Sequence, residues 1–266
     1  MKDTPPQGHP WWGVSDFTEG CTKRWEIGPL TLWIRRLDQE WWIASECDEK
    51  QQQRLVTAVD HAGPEWLSHA SVERYLIRHS QSLLRLSPML ADRPVVARPL
   101  IPLHLCAGEQ ATLFVSLPVW IGLEAGPQRQ LLKELAVQRL SDTWFGTSTL
   151  EGELCYASTT HYRQDLRELP LYPHQAITPV LIQNRSQQTL VMERLSLPVH
   201  HLSVYGSTAA TLWTSGVSLK WEQGATVAMN IETKPPVEAG RAELLCGPRH
   251  VLDKGGVIRA VTSLFG

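Results

Sequence analysis

A chain of 266 residues with 42 % hydrophobic and 20 % charged content can bury a large core in one or two domains, and its composition is that of a globular protein, not a disordered one. A formal net charge of −2 excludes a global field toward nucleic acid or acidic lipid, so no nucleic-acid partner is expected. The longest nearly apolar run, residues 113–123, is interrupted by Pro118 and is too short to cross a bilayer, so no membrane insertion is expected.

Residues 1–22 are rich in proline and glycine and read as an irregular lead-in that Trp11 and Trp12 tack onto the body. Alternation begins at Trp25, with Leu30, Leu32 and Ile34 on one face, and Trp41-Trp-Ile-Ala44 is the expected hairpin partner across Arg36–Glu40. Residues 46–71 read as a long loop with a short helix near Gln52–Val59. Glu73–Arg78 and Ser82–Leu86 resume the strand pattern, and Asp92–Pro99 is extended because each proline biases its predecessor away from the α region. A hairpin is expected from Leu100–Cys106 to Ala111–Leu123 across Ala107–Gln110, with Pro118 marking an edge or bulge. Pro127–Leu140 fits both periods, and the strand reading is preferred.

In the second half, Ala176–Gln183 and Thr189–Ser196 flank a turn at Asn184-Arg-Ser-Gln187. Five further short runs follow, broken by Gly206, Gly216, Gly224 and Pro235-Pro236. In the tail, Val257, Ile258, Val261, Leu264 and Phe265 fall on one face of a short amphipathic helix, a candidate for self-association or for a protein partner. The echo between Ser116-Leu-Pro-Val-Trp120 and Ser196-Leu-Pro-Val-His200 suits tandem copies of one module and chance equally well. The fold class expected is mainly β. Its parts are a lead-in over 1–22, antiparallel sandwich or barrel-like modules over 23–150 and 151–246, and a tail over 247–266 carrying the helix.

Eleven tryptophans outnumber the five tyrosines and four phenylalanines together, so rings fill large cores, grip something at the surface, or both. Five cysteines lie far apart in sequence, and Met1-Lys-Asp-Thr-Pro-Pro has no apolar signal region, so a reducing cytoplasmic location is expected. Phosphate-binding glycine loops, C-x-x-C, H-E-x-x-H, EF-hand and G-x-S-x-G patterns are all missing from the sequence. His200 and His201, if adjacent on a strand, point to opposite faces, and nothing in the spacing of His161, His174 and Cys155 adds a ligand. No metal site and no cofactor are expected.

The densest polar and aromatic stretch is Leu140-Ser-Asp-Thr-Trp-Phe-Gly-Thr147 with Glu151-Gly-Glu-Leu-Cys-Tyr156. Arg139, Asp142, Trp144 and Phe145 are the candidate ligand-binding set, a ring platform with polar handles. Trp33, Trp41 and Trp42 offer a similar set, against a reading as core and cross-strand packing. Asp142, Glu151 and Glu153 supply the residue types of an acid–base pair, and Ser141 or Thr143 with His161 those of a nucleophile and base. Such sets occur in almost any chain of this size, and Ser141-Asp-Thr143 reads equally as a turn.

Asp92-Arg-Pro-Val-Val96, Pro118-Val-Trp120, Leu140–Gly146, Gly152-Glu-Leu-Cys-Tyr156 and Pro179–Asn184 together resemble an uncharacterised prokaryotic domain-of-unknown-function family, number 432, over residues 25 to about 235. The resemblance implies no established activity. It implies a cytosolic accessory or interaction protein, with small-conductance mechanosensitive channels as a genomic neighbour. A non-enzymatic binding or interaction protein is therefore the leading expectation, and a small-molecule or carbohydrate-acting enzyme the alternative.

Overall fold

The structure is a computed structural model that describes residues 10–51, 57–60, 63, 71–78, 81–99, 101–146, 148, 150–159, 162–222, 227–252 and 257–260. Among these the chain is mainly β, with twenty-four strands and four single-turn 3-10 segments. It forms two compact units, neither continuous in sequence: residues 1–89, 118–139 and 172–174 build the first, and the remaining stretches the second.

The first unit is made of antiparallel pairs, the most local of them in its five-stranded sheet. Thr22–Ile27, Leu30–Leu37 and Glu40–Cys47 form two successive hairpins, the second closing at Leu37↔Glu40. Thr57–Asp60 and Val72–Leu76 pair at the two edges, giving a five-stranded sheet. The first of these stands in place of part of the helix expected near Gln52–Val59; residues 52–56 of that expectation lie outside the described residues. Period-two alternation sets the faces as expected, with Leu30, Leu32 and Ile34 buried. Trp41 is 0 % exposed and packs edge-on to Phe17 at 5.1 Å, whereas Trp42, one residue on, lies on the opposite face between Arg35 and Arg74.

A four-stranded sheet completes this unit, in the order Gly13–Asp16, Leu83–Met89, Trp120–Ala125 and Gln130–Ala136. Its first strand corrects the reading of residues 1–22 as wholly irregular, while Trp11 is buried and donates its indole N–H to Pro173 O at 2.8 Å. Within the ambiguous Pro127–Leu140 stretch, Gln130–Ala136 is a strand antiparallel to Trp120–Ala125. His174 is fully buried, and its ring fills the space a side chain at Gly28 would need, where φ is +55°. Desolvation holds the imidazole down to about 4.

The second unit adds non-local pairings to hairpins such as Ser141–Gly146 with Gly152–Thr159. Leu103–Leu105 pairs with Leu190–Met192, and Gln110–Pro118 pairs with Tyr162–Arg163 and with Gln175–Asn184, so the two hairpins expected at 100–123 and 176–196 do not form. Their turns do. The two amide protons of Asn184 are shared among Leu105 O, Cys106 O and Gln188 O, its Oδ1 accepts from Ser186, and one buried side chain thereby fixes both loops.

Three pairings here are parallel, against the expectation of antiparallel modules. Gln175–Asn184 runs parallel to Leu212–Thr214 and to Val217–Trp221, and Gly152–Thr159 runs parallel to Val95–Arg98. Parallel partners need long crossovers, which no short turn signal announces. Phe114, Leu169, Ile177, Tyr205, Trp213 and Ala239 close one apolar cluster.

The tail corrects another expectation. Val257–Ala260 is a strand antiparallel to Val227–Asn230, so Val257 and Ile258 belong to a sheet and not to a helix. Val261, Leu264 and Phe265 lie outside the described residues. The β-branched pair Val257-Ile258 suits a pleated ladder, and sheet hydrogen bonding overrides the helical period. No helix among the described residues is long and apolar enough to cross a membrane.

Candidate functional site

One four-stranded sheet of the second unit gathers segments that are far apart in sequence. Its order is Ser141–Gly146, Gly152–Thr159, Val95–Arg98 and Leu195–Leu197. The first two strands form a hairpin in the register Asp142↔Tyr156, Trp144↔Leu154 and Phe145↔Glu153. Opposed residues share a face and neighbours alternate, so Asp142, Trp144, Leu154 and Tyr156 lie on one side, with Phe145, Glu153 and Cys155 on the other.

Both glycines of the hairpin are needed by close approach. A Cβ at Gly146 would stand 2.0 Å from Glu151 O, and one at Gly152 would stand 2.8 Å from the Trp144 indole nitrogen. Trp144 donates to Ser148 O at 2.8 Å, while Ser148 Oγ accepts from the backbone of Leu150 and Glu151. The indole is therefore held in place, yet it remains 45 % exposed, as does Leu154 opposite it.

Beside this apolar pair stands a fixed polar group. Pro94 directs the chain into the Val95–Arg98 strand, and its carbonyl accepts from Tyr156 N at 2.9 Å. Arg93 reaches Asp142 at 3.1 Å and Asp92 at 3.5 Å, and its guanidinium lies 4.9 Å from the Tyr156 ring centre. Tyr156 donates its hydroxyl to Asp92 at 3.0 Å, and burial together with that bond holds the phenol above its ordinary range. A guanidinium stacked on a ring and bonded to carboxylates at its edge is a low-entropy arrangement, ready to meet a planar or polar partner.

The opposite face is covered at Phe145 and Cys155, while Glu153 remains exposed. Phe145 is buried under Arg194, whose guanidinium sits 5.1 Å from the ring centre. Cys155 is buried and its thiol is pushed up to about 12, by desolvation first and by Glu153 next, which leaves it protonated and a poor nucleophile or ligand. Desolvation raises Glu153. Asp142 and Glu153 project from opposite faces of the hairpin, and Glu151 sits in its exposed turn, so the three carboxylates do not share a face. Of the expected ligand-binding set, Asp142 and Trp144 come together, Phe145 is turned inward, and Arg139 belongs to the first unit. His161 lies outside the described residues.

A second polar group was not legible as one in the sequence. Pro198 ends the Leu195–Leu197 strand and begins a 3-10 turn over Val199–His201, so His200 and His201 do not alternate across a strand. Their ring centres are 4.1 Å apart, and His250, from the loop after Ala242–Cys246, brings a third ring to 5.7 and 6.1 Å from them. Burial and the two neighbouring imidazoles hold His200 down to about 4, against a smaller opposing effect of Asp92. In sequence only the Pro-Val-His-His run hints at the turn; nothing announces His250.

A family model described as "Protein of unknown function (DUF432)" matches residues 11–265, and the chain belongs to that family. The match extends beyond residues 25–235, taking in the Gly13–Asp16 and Val257–Ala260 strands. No curated protein and no solved structure matches the chain.

Proposed function

We propose that this chain is a non-catalytic cytosolic binding protein that docks a partner protein on the face carrying Arg93, Asp142, Trp144, Leu154 and Tyr156. The observation that carries this reading is the cross-strand pair Trp144–Leu154, each 45 % exposed, next to an Arg93–Tyr156 stack that is already ordered. Tryptophan, tyrosine and arginine are the residues in which interface energy concentrates, and prior ordering lowers the entropy cost of association. The Ser141–Gly146 strand stands at the edge of its sheet, which adds unpaired backbone groups to the same border.

The separation of Asp142 from Glu153 across the two faces of the hairpin supports binding over carboxylate acid–base chemistry, which needs both groups on one substrate. A photo-crosslinking amino acid placed at position 154, with position 76 on an exposed edge strand as the control, tests the assignment in native cells. A discrete adduct from 154 that excess untagged chain competes away is expected. Equal, non-competable labelling from both positions would overturn it, as would turnover of ester, phosphate or glycoside substrates that Asp142→Ala abolishes.

A further inference from the structure

We propose that His200, His201 and His250 bind a divalent transition-metal ion, with zinc the best match to a set of three imidazoles. Three separate constraints place these rings together.

The backbone is set first. His250 N–H donates to His200 O at 3.0 Å, which ties the loop after Ala242–Cys246 to the 3-10 turn, and Arg249 anchors the same loop by donating to Leu90 O at 2.8 Å. The tautomer of His201 is set next. Its Nδ1 lies 2.6 Å from His250 O, and a carbonyl oxygen can only accept, so the proton sits on Nδ1 and the lone pair on Nε2. This is the arrangement in which metal-binding histidines are held, with one nitrogen on a carbonyl and the other on the ion. Lastly, His200 Nδ1 is shielded from solvent and has no hydrogen-bond partner. A polar atom left so is costly unless something binds it.

Ring spacing agrees with this assignment. With Zn–N distances of about 2.0–2.1 Å, the centres of three imidazoles around one tetrahedral ion stand roughly 5 Å apart. The observed separations of 4.1, 5.7 and 6.1 Å bracket that value. With the side chains as they stand, no group of three or more His, Cys, Asp or Glu among the described residues could hold a metal ion, these three histidines included. Capture therefore turns the side chains of His200 and His250 about their torsions, on a backbone that is already fixed. Three protein nitrogens leave the fourth position of a tetrahedral ion to water or to a ligand atom.

The test uses the full chain without a histidine affinity tag, stripped with chelator and titrated with Zn²⁺ by calorimetry and with Co²⁺ by visible absorption. Saturable binding of a single equivalent is expected, with the intense d–d bands of tetrahedral cobalt. His200→Ala and His250→Ala should each weaken binding about tenfold or more, while His104→Ala, on an exposed strand elsewhere in the unit, leaves it unchanged. Should His200→Ala fail to fold, His250→Ala in its exposed loop carries the same expectation. Absence of saturable binding, octahedral cobalt spectra, or affinity that survives His250→Ala would each overturn the proposal.

Discussion

The two units reach a β fold by different routes. In the five-stranded sheet of the first, three successive strands pair in chain order, Thr22–Ile27, Leu30–Leu37 and Glu40–Cys47, although Gly13–Asp16 and Trp120–Ala125 both reach Leu83–Met89 from a distance in the other sheet. In the second, Leu103–Leu105 takes Leu190–Met192 as partner, and Val95–Arg98 lies between Gly152–Thr159 and Leu195–Leu197. Hairpin order is set by turns and alternation within a few residues, so its stability falls chiefly on the apolar core those turns bring together. Non-local order has no such local device, and buried polar side chains that hold distant loops carry more of it. Asn184 is the clearest example, with the buried hydroxyls of Thr178 and Thr214, bonded to each other at 2.8 Å, as another.

The largest effect should come from emptying the core of the first unit. Trp41 is 0 % exposed and packs on Phe17, so Trp41→Ala should cost about 3–5 kcal/mol. Denaturant unfolding followed by exchange protection of the 22–47 hairpins measures it. A cost below about 1 kcal/mol would mean that the hairpins hold without their ring core, and the contrast between the units would collapse.

How much could be read in advance follows the same division. Leu30, Leu32 and Ile34 announced their shared face, because period-two alternation is a local property. Asn184–Gln187 was legible as a turn, but not the partners of the strands beside it, since nothing in Thr189–Ser196 points to Leu103–Leu105. The tail misled because Val257, Ile258 and Val261 satisfy a helical period and a strand run together. At the site, Asp142 and Trp144 stood out as polar and aromatic groups in one short segment. Arg93 and His250 did not, because each acquires its role only through a strand or turn that is remote in sequence.

A smaller effect, also in the first unit, is pH dependence from His174. Its folded value is depressed to about 4 from an ordinary 6.5, so the unfolded chain binds the proton more readily. Stability is complete above about pH 6.5 and falls as pH drops toward 4, by about 3 kcal/mol over the window, because each tenfold loss of proton affinity on folding corresponds to about 1.4 kcal/mol. His174→Gln should flatten that slope in unfolding curves taken between pH 7 and 4, even if it lowers stability at every pH. An unchanged slope in the variant would assign the acid sensitivity to other groups and leave His174 with a packing role alone.

The smallest of the three belongs to the second unit and sharpens the contrast most. Asn184→Ala removes a buried amide whose two protons are shared among Leu105 O, Cys106 O and Gln188 O and whose Oδ1 accepts from Ser186. The lost bonds and the carbonyls left without a donor should cost about 2 kcal/mol, less than the tryptophan because little apolar volume is lost and water can enter at the loop margin. What distinguishes this variant is where the loss appears. If one side chain organises non-local order, exchange protection should fall together in 103–105, 190–192 and 217–221, segments far apart in sequence. A loss confined to residues 184–188 would mean that Asn184 merely closes its own turn, and that the sheet partners of the second unit are chosen by apolar packing alone.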